Sequence, residues 1–249
     1  MKLLLAPTKL MRPYPSTNGA KPVFLKSAKI LQQHLKKWSV SDCAKHMKLS
    51  TSKAQETQLL IQNWGKKNNT TNASLALYAY VGEAFKALDA DSCTAQELSY
   101  FEQHLFILSG LYGLLSPFAA LELYRLEMAQ SHANPDGGSL YAFWRPQIEK
   151  YLLRALQKDE VILNLASAEY ADVLQDPRLR ANMLTPYFYE QKGEQLQSIS
   201  VFSKQARGTM ARWCAKYAIQ DPAVLNTFDE SGYRFSAEHS TQRNLVFIR

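Results

Sequence analysis

HLFILSGLYGLLSPFAALELYRLEM, residues 104–128, begins as an apolar run at Leu105–Leu108 and then meets Gly110 and Gly113, three positions apart with Tyr112 between them. Glycine at the end of an apolar run marks a backbone that turns tightly or admits a close neighbour. Beyond Pro117, Tyr124-Arg125-Leu126-Glu127-Met128 alternates polar with apolar residues, which places Arg125 and Glu127 on one face of a short strand. An Arg and a Glu beside a glycine turn make either a site or a buried clamp, and spacing alone leaves both readings open.

Upstream of this stretch, Thr94-Ala95-Gln96-Glu97 reads as a capping box that opens a helix ending near Gln103. Downstream, Asn134-Pro135-Asp136-Gly137-Gly138 is a turn-rich loop leading to Leu140-Tyr141-Ala142-Phe143-Trp144. Those aromatics suit core packing against a helix over Arg145–Leu156, or stacking on bases. Two strand-to-helix crossings follow. In the first, Glu160–Leu165 is a strand, Asn164 stands near its end, and Ser167 caps a helix with Glu169 and Tyr170 in its first turn. In the second, Gln197–Phe202 is a strand and Ser203 caps a helix carrying Lys204, Arg207 and Arg212. Cations in a first turn oppose the helix dipole unless an anion sits nearby, which points to a phosphate or carboxylate site.

At the other end of the chain, Lys2–Ala6 reads as a buried strand, and Pro7-Thr8-Lys9 leaves it where α/β proteins place functional loops. Amphipathic helices are expected over Ser27–Lys37, over Ser41–Met47 with Ser41 as cap, and from a cap at Ser50 or Thr51 to about Gly65. Residues 41–63 therefore form two helices with a very short connection and Lys45, Lys48 and Lys53 around the bend. A bend of that kind offers backbone amides and charge to a phosphate, although no glycine stands in it. Residues 65–73 are polar and read as an exposed loop. Tyr233–Phe235 and Leu245–Ile248 are further strand candidates. Strands and helices interleaved in this way give an α/β (α+β) fold, one domain over residues 1–249 with a central sheet flanked by helices.

The charge is uneven. Residues 1–70 hold 13 Lys or Arg against two acids, a local +11, while the remaining 16 bases and 20 acids give −4, together the chain's +7. Such a cationic quarter favours a polyanion, nucleic acid above all. The 46% hydrophobic and 20% charged composition is ordinary for a globular protein and indicates neither a disordered nor a membrane class. The apolar start breaks at Pro7, too early for a secretory signal, so a cytoplasmic protein with no membrane partner is expected. Three scattered cysteines and five histidines lack metal-ligand spacing, so neither a metal nor another cofactor is expected. No Walker loop, GxGxxG, GxSxG or HExxH occurs. What remains is a set of turn residues able to converge on one mixed-charge cleft: Lys9, Tyr124, Arg125, Glu127, Asn164, Ser167, Glu169, Tyr170, Lys204 and Arg207.

LSGLYGLL…YRLEM, LYAFW, NLASAEY and SKQARGTMARW, in this order and at these separations, resemble the YaaA family of bacterial peroxide-stress proteins, and the likeness runs from APTKL to the C-terminal strands. The resemblance implies a cytoplasmic protein that limits oxidative damage and keeps free intracellular iron low. It also implies a helix-hairpin-helix element, here 41–63, and a basic DNA-binding cleft that would include Arg212 with the residues above other than Tyr124. Ala6, Ser116 and Asp172 depart from the family pattern at positions where relatives carry other polar or basic groups. Two functions compete. One is DNA binding through Lys9, Lys45, Lys48, Lys53, Arg125, Lys204, Arg207 and Arg212. The other is an enzyme or small-anion binder with Glu127 or Glu169 as general base.

Overall fold

Leu3, Leu4 and Leu5 are all fully buried, because the strand that carries them, β1 (Lys2–Leu5), has a parallel neighbour on each side. On one side Leu3 registers with Leu105 of β3 (Leu105–Ser109), and on the other with Leu163 of β6 (Ile162–Leu165). A strand sandwiched in this way reads as a continuous apolar run rather than an alternation. The structure, a computed structural model, describes residues 1–16, 18–66 and 73–249. Most of the polar 65–73 loop therefore lies outside the described residues.

The central sheet continues outward through β4 (Gly113–Leu115) beyond β3. Beyond β6 it continues through β7 (Met183–Lys192), β10 (Asn244–Ile248) and β9 (Arg234–Phe235), with β8 (Gln195–Gln197) hairpinned onto β7. Pairings among β3, β1, β6, β7 and β10 are parallel, and β4, β8 and β9 attach antiparallel. A small second sheet pairs β2 (Ser74–Leu75) with β5 (Ala120–Leu121). Helices α1 (Leu25–Leu35), α2 (Val40–Met47), α3 (Thr51–Asn63), α4 (Ala76–Ala79), α5 (Glu83–Leu88) and α6 (Ala95–His104) all fall between β1 and β3. Helix α7 (Leu140–Ala155) precedes β6, α8 (Ala168–Ala171) and α9 (Pro177–Ala181) follow it, and α10 (Ser200–Lys216) follows β8. One continuous apolar cluster runs from Met1 to Phe247, so the α/β architecture with a flanked central sheet stands.

The glycine turn is a joint of this core. Gly113 takes φ +71°, and a Cβ there would meet the Trp144 ring at 2.6 Å. The Trp144 indole donates to the Gly110 carbonyl at 2.8 Å. LYAFW is therefore part of α7 itself, packed through Trp144 onto the turn, and not a segment ahead of the helix.

Three local readings change. The cap of α2 is Ser39, not Ser41: its hydroxyl accepts from the Asp42 amide while the Asp42 carboxylate accepts from the Ser39 amide, so the preferred capping box lies two residues earlier. Residues 122–127 are extended without a ladder partner rather than a strand. The alternation nevertheless holds, with Tyr124, Leu126 and Met128 buried and Arg125 and Glu127 half-exposed. The second strand ends by Gln197, and α10 starts at Ser200, so Ser203 is no cap. It lies inside the helix and donates to the Phe188 carbonyl at 3.2 Å. Lys204 and Arg207 consequently stand in the second turn and beyond, where the dipole argument does not apply.

Candidate functional site

In the sheet, the connection leaving β1 leads to β3 on one side, and the connection leaving β6 leads to β7 on the other. Adjacent parallel strands whose crossovers diverge leave a crevice outside their carboxyl ends, and open α/β sheets bind ligands there. A cavity of about 380 Å³ occupies that position, walled by Leu5–Leu10 at and after the end of β1, by Leu165, Ser167, Glu169 and Tyr170 at and after the end of β6, by Gly82–Phe85 at the start of α5, by Glu127, and by Lys204 and Arg207 of α10. Seven residues expected from the sequence are thus brought together: Lys9, Glu127, Ser167, Glu169, Tyr170, Lys204 and Arg207.

A second cavity of about 340 Å³ shares the Lys9 and Glu127 wall and is lined further by Arg125, by His46–Leu49 at the end of α2, and by Ala129–Ser131. The chain therefore sets Arg125 and Lys48 next door to the switch-point crevice. The bend between α2 and α3 is three residues long, and Lys48 there adopts φ 53°, a left-handed conformation that costs a lysine more than it would a glycine. The bend also packs on the loop below it: the His46 ring stacks on His132 at 4.2 Å, and Gln130 donates to the His46 carbonyl at 2.7 Å. Burial, then the neighbouring His132, holds the His46 pKa below its usual value.

The charges in the two cavities are unevenly satisfied. Lys9 pairs with Glu127, a charge contact rather than an aligned hydrogen bond, since the Glu127 Oε1 makes none of good geometry. Glu169 accepts from the Ala129 amide at 3.2 Å. Among the described residues, Lys48, Arg125, Lys204 and Arg207 form no ion pair. Arg207 is the extreme case: its Nε is buried without a hydrogen-bond partner, and desolvation pulls its pKa below the usual arginine value. An uncompensated, partly desolvated guanidinium costs stability, and a bound anion recovers that cost. Arg207→Met, which keeps the stem and removes the charge, is expected to raise stability by about 1 kcal/mol in the absence of ligand, measured by denaturant unfolding.

Other expected members lie elsewhere. Tyr124 is in the core beneath the crevice, its hydroxyl bonded to those of Tyr80 at 2.8 Å and Ser109 at 2.6 Å. Asn164 is buried on β6, donating to the Thr185 hydroxyl and accepting from the Ala166 amide. It shapes the turn after β6 from below and does not face the cavity. Arg212 is committed to structure: it pairs with Glu97 at 2.7 Å and donates to the carbonyls of Leu88, Asp89 and Ser92. Lys45 and Lys53 are exposed on the helix pair, and Lys53 pairs with Glu56. The sequence reading missed the α5 wall, where Gly82 N-caps a six-residue helix and Phe85 lines the crevice. Gly82 ahead of an acidic first turn was the available signal. Groups of three or more His, Cys, Asp or Glu able to hold a metal do not occur among the described residues, and no described helix is long and apolar enough to cross a membrane.

Comparison with known proteins matches residues 1–239 to the family model described as peroxide stress protein YaaA. A UPF0246 protein of Albidiferax ferrireducens is 39% identical across this whole chain and 98% of its own length. A UPF0246 protein of Legionella pneumophila is 38% identical over the whole chain and 99% of its own, and one from Ralstonia nicotianae is 38% identical over 92% of this chain and 90% of its own. With its central crevice and flanking helix pair spanned by that match, the chain belongs to the peroxide stress protein YaaA family.

Proposed function

We propose that this protein acts in the cytoplasm as a DNA-binding peroxide-stress protein that limits oxidative damage and helps keep free intracellular iron low. In this reading the helix pair and the crevice hold phosphates of the same polyanion. The observation that carries it is the adjacency of the two cavities. Lys48 at the bend and Arg125 beside it lead across the Lys9–Glu127 wall to Lys204 and Arg207, and these four cations form no direct ion pair among the described residues. Backbone phosphates neutralise such groups with release of counterions, and contacts of this kind position a duplex without reading its sequence.

The test is an anisotropy titration of a duplex at several salt concentrations with wild type and a Lys45→Glu/Lys48→Glu/Lys53→Glu variant. Wild-type affinity is expected to fall steeply with salt, and the variant to lose about tenfold or more at low salt together with roughly two units of the logarithmic salt slope. Absence of wild-type binding at low salt, or a variant that binds equally well, defeats the reading. A second reading, a small-anion binder or an enzyme with Glu127 or Glu169 as base, is favoured by the position of the larger crevice at the switch point of the sheet.

A further inference from the structure

The crevice is built with two kinds of wall. Lys204 and Arg207 stand on α10, three residues apart and therefore on one helix face. Glu127 and Glu169 line the crevice too, Glu169 accepting from the amide of Ala129, two residues beyond Glu127. The remaining lining mixes polar residues, Thr8, Lys9, Glu83 and Ser167, with apolar ones that include two buried aromatic rings, Phe85 and Tyr170. A backbone phosphate alone would use the cations and leave the rings and the Glu169 carboxylate without a ligand to meet, Glu127 being already paired with Lys9. The occupant that matches all three features carries an anion at one end, a flat apolar face in the middle, and N–H donors at the far edge.

We infer that the crevice takes a single nucleoside 5′-monophosphate unit, its phosphate on Arg207 and Lys204, its base between Phe85 and Tyr170, and the amino-bearing edge of the base towards Glu127 and Glu169. The volume of about 380 Å³ lies at the small end of the range of roughly 300–1,000 Å³ that holds small ligands, which suits one nucleotide and excludes a duplex. The free guanidinium of Arg207, buried at Nε with nothing to bond, is the group that the phosphate completes. Base faces stack on aromatic side chains whatever the base, and a base edge is read by hydrogen bonds once it has left the helix. The inference deepens the anion-binding reading of this crevice and rests on it. The unit can be a free nucleotide or a nucleotide extruded from DNA, since both present the same chemistry.

Calorimetric titration with the four deoxynucleoside 5′-monophosphates, their nucleosides and inorganic phosphate tests it, alongside anisotropy with a fully paired duplex and one carrying a single unpaired nucleotide. At least one monophosphate is expected to bind about tenfold or more tightly than both its nucleoside and phosphate. The thymidine monophosphate, which lacks an amino group, is expected to be the weakest of the four. Arg207→Met is expected to lose at least about tenfold while melting no lower than wild type, and Glu169→Gln to alter the ranking among bases more than the mean affinity. Monophosphates that bind no better than phosphate, or that bind Arg207→Met as they bind wild type, overturn the inference. Monophosphate binding without duplex binding sustains it, defeats the DNA reading and identifies free nucleotides as the source. Duplex binding without monophosphate binding does the reverse. An Arg207-dependent preference for the unpaired nucleotide identifies an extruded one as the source.

Discussion

Gly208→Ala destabilises the protein by about 2–3 kcal/mol, although the same change in a helix exposed to solvent stabilises by about 1 kcal/mol. Gly208 lies in α10 where that helix packs on α5, and a Cβ at this position would fall within the van der Waals surface of the Ala84 carbonyl oxygen, with the Ala84 Cα at 2.9 Å. The obstacle is backbone, so no side chain can swing aside, and the helices must separate. Their separation moves the first turn of α5, Gly82–Phe85, which is a wall of the crevice, relative to Lys204 and Arg207 on α10. Thermal unfolding should show a melting temperature lower by roughly 4–12 °C, and anion affinity should fall with it. A Gly208→Ala protein that melts at or above the wild-type temperature would show that the two helices have slack that their contact denies.

Arg212→Ala is expected to cost about 3 kcal/mol, the low end for breaking a buried ion pair because solvent reaches part of the arginine. Glu97 is buried, 5% exposed. It holds the cap of α6 through Thr94 and accepts from Arg212. Burial alone would push its pKa up, but the hydrogen bonds from Thr94 and Arg212 and the charge of Arg212 prevail and hold it below the ordinary value of 4.5. A carboxylate with a depressed native pKa contributes stability above its unfolded pKa and loses it as pH falls through the native one. Wild type should therefore lose this contribution only below about pH 4.5, while Arg212→Ala should be destabilised already at neutral pH and show a flatter acid limb. Urea unfolding at pH 7 and pH 3.5 measures both. A variant that loses nothing at pH 7 would mean that Glu97 finds other donors.

Arg207 and Arg212 mark what the sequence can and cannot say. Arg207 and Arg212 sit five positions apart in one motif, SKQARGTMARW, and the resemblance assigned both to the cleft. Their roles diverge because α10 turns them towards different partners, one towards an apolar crevice and one towards Glu97 more than 100 residues earlier in sequence, and spacing within a helix carries no information about what packs against it. Tyr124 and Asn164 were misplaced for a related reason. Tyr124 precedes Arg125 of the second cavity and Asn164 precedes Leu165 of the crevice, but the alternation of the extended segment turns Tyr124 into the core and Asn164 is buried on β6. By contrast, the crevice ends of β1 and β6 were legible, since a buried apolar run followed by Pro7 or Ser167 announces a strand leaving the sheet. The dipole mismatch that singled out Lys204 and Arg207 rested on a helix start that lies earlier than supposed. It is the missing counter-charge around Arg207, visible only in three dimensions, that gives those cations their meaning.

The most direct measurement is a paired melting experiment on wild type and Arg207→Met, with and without a saturating nucleoside monophosphate. A guanidinium kept for an anion predicts that the variant melts higher than wild type alone, and that ligand raises the wild-type melting temperature but not the variant's. A variant that melts lower without ligand and gains as much as wild type with it would contradict the assignment of Arg207 as the anion-binding centre of this fold.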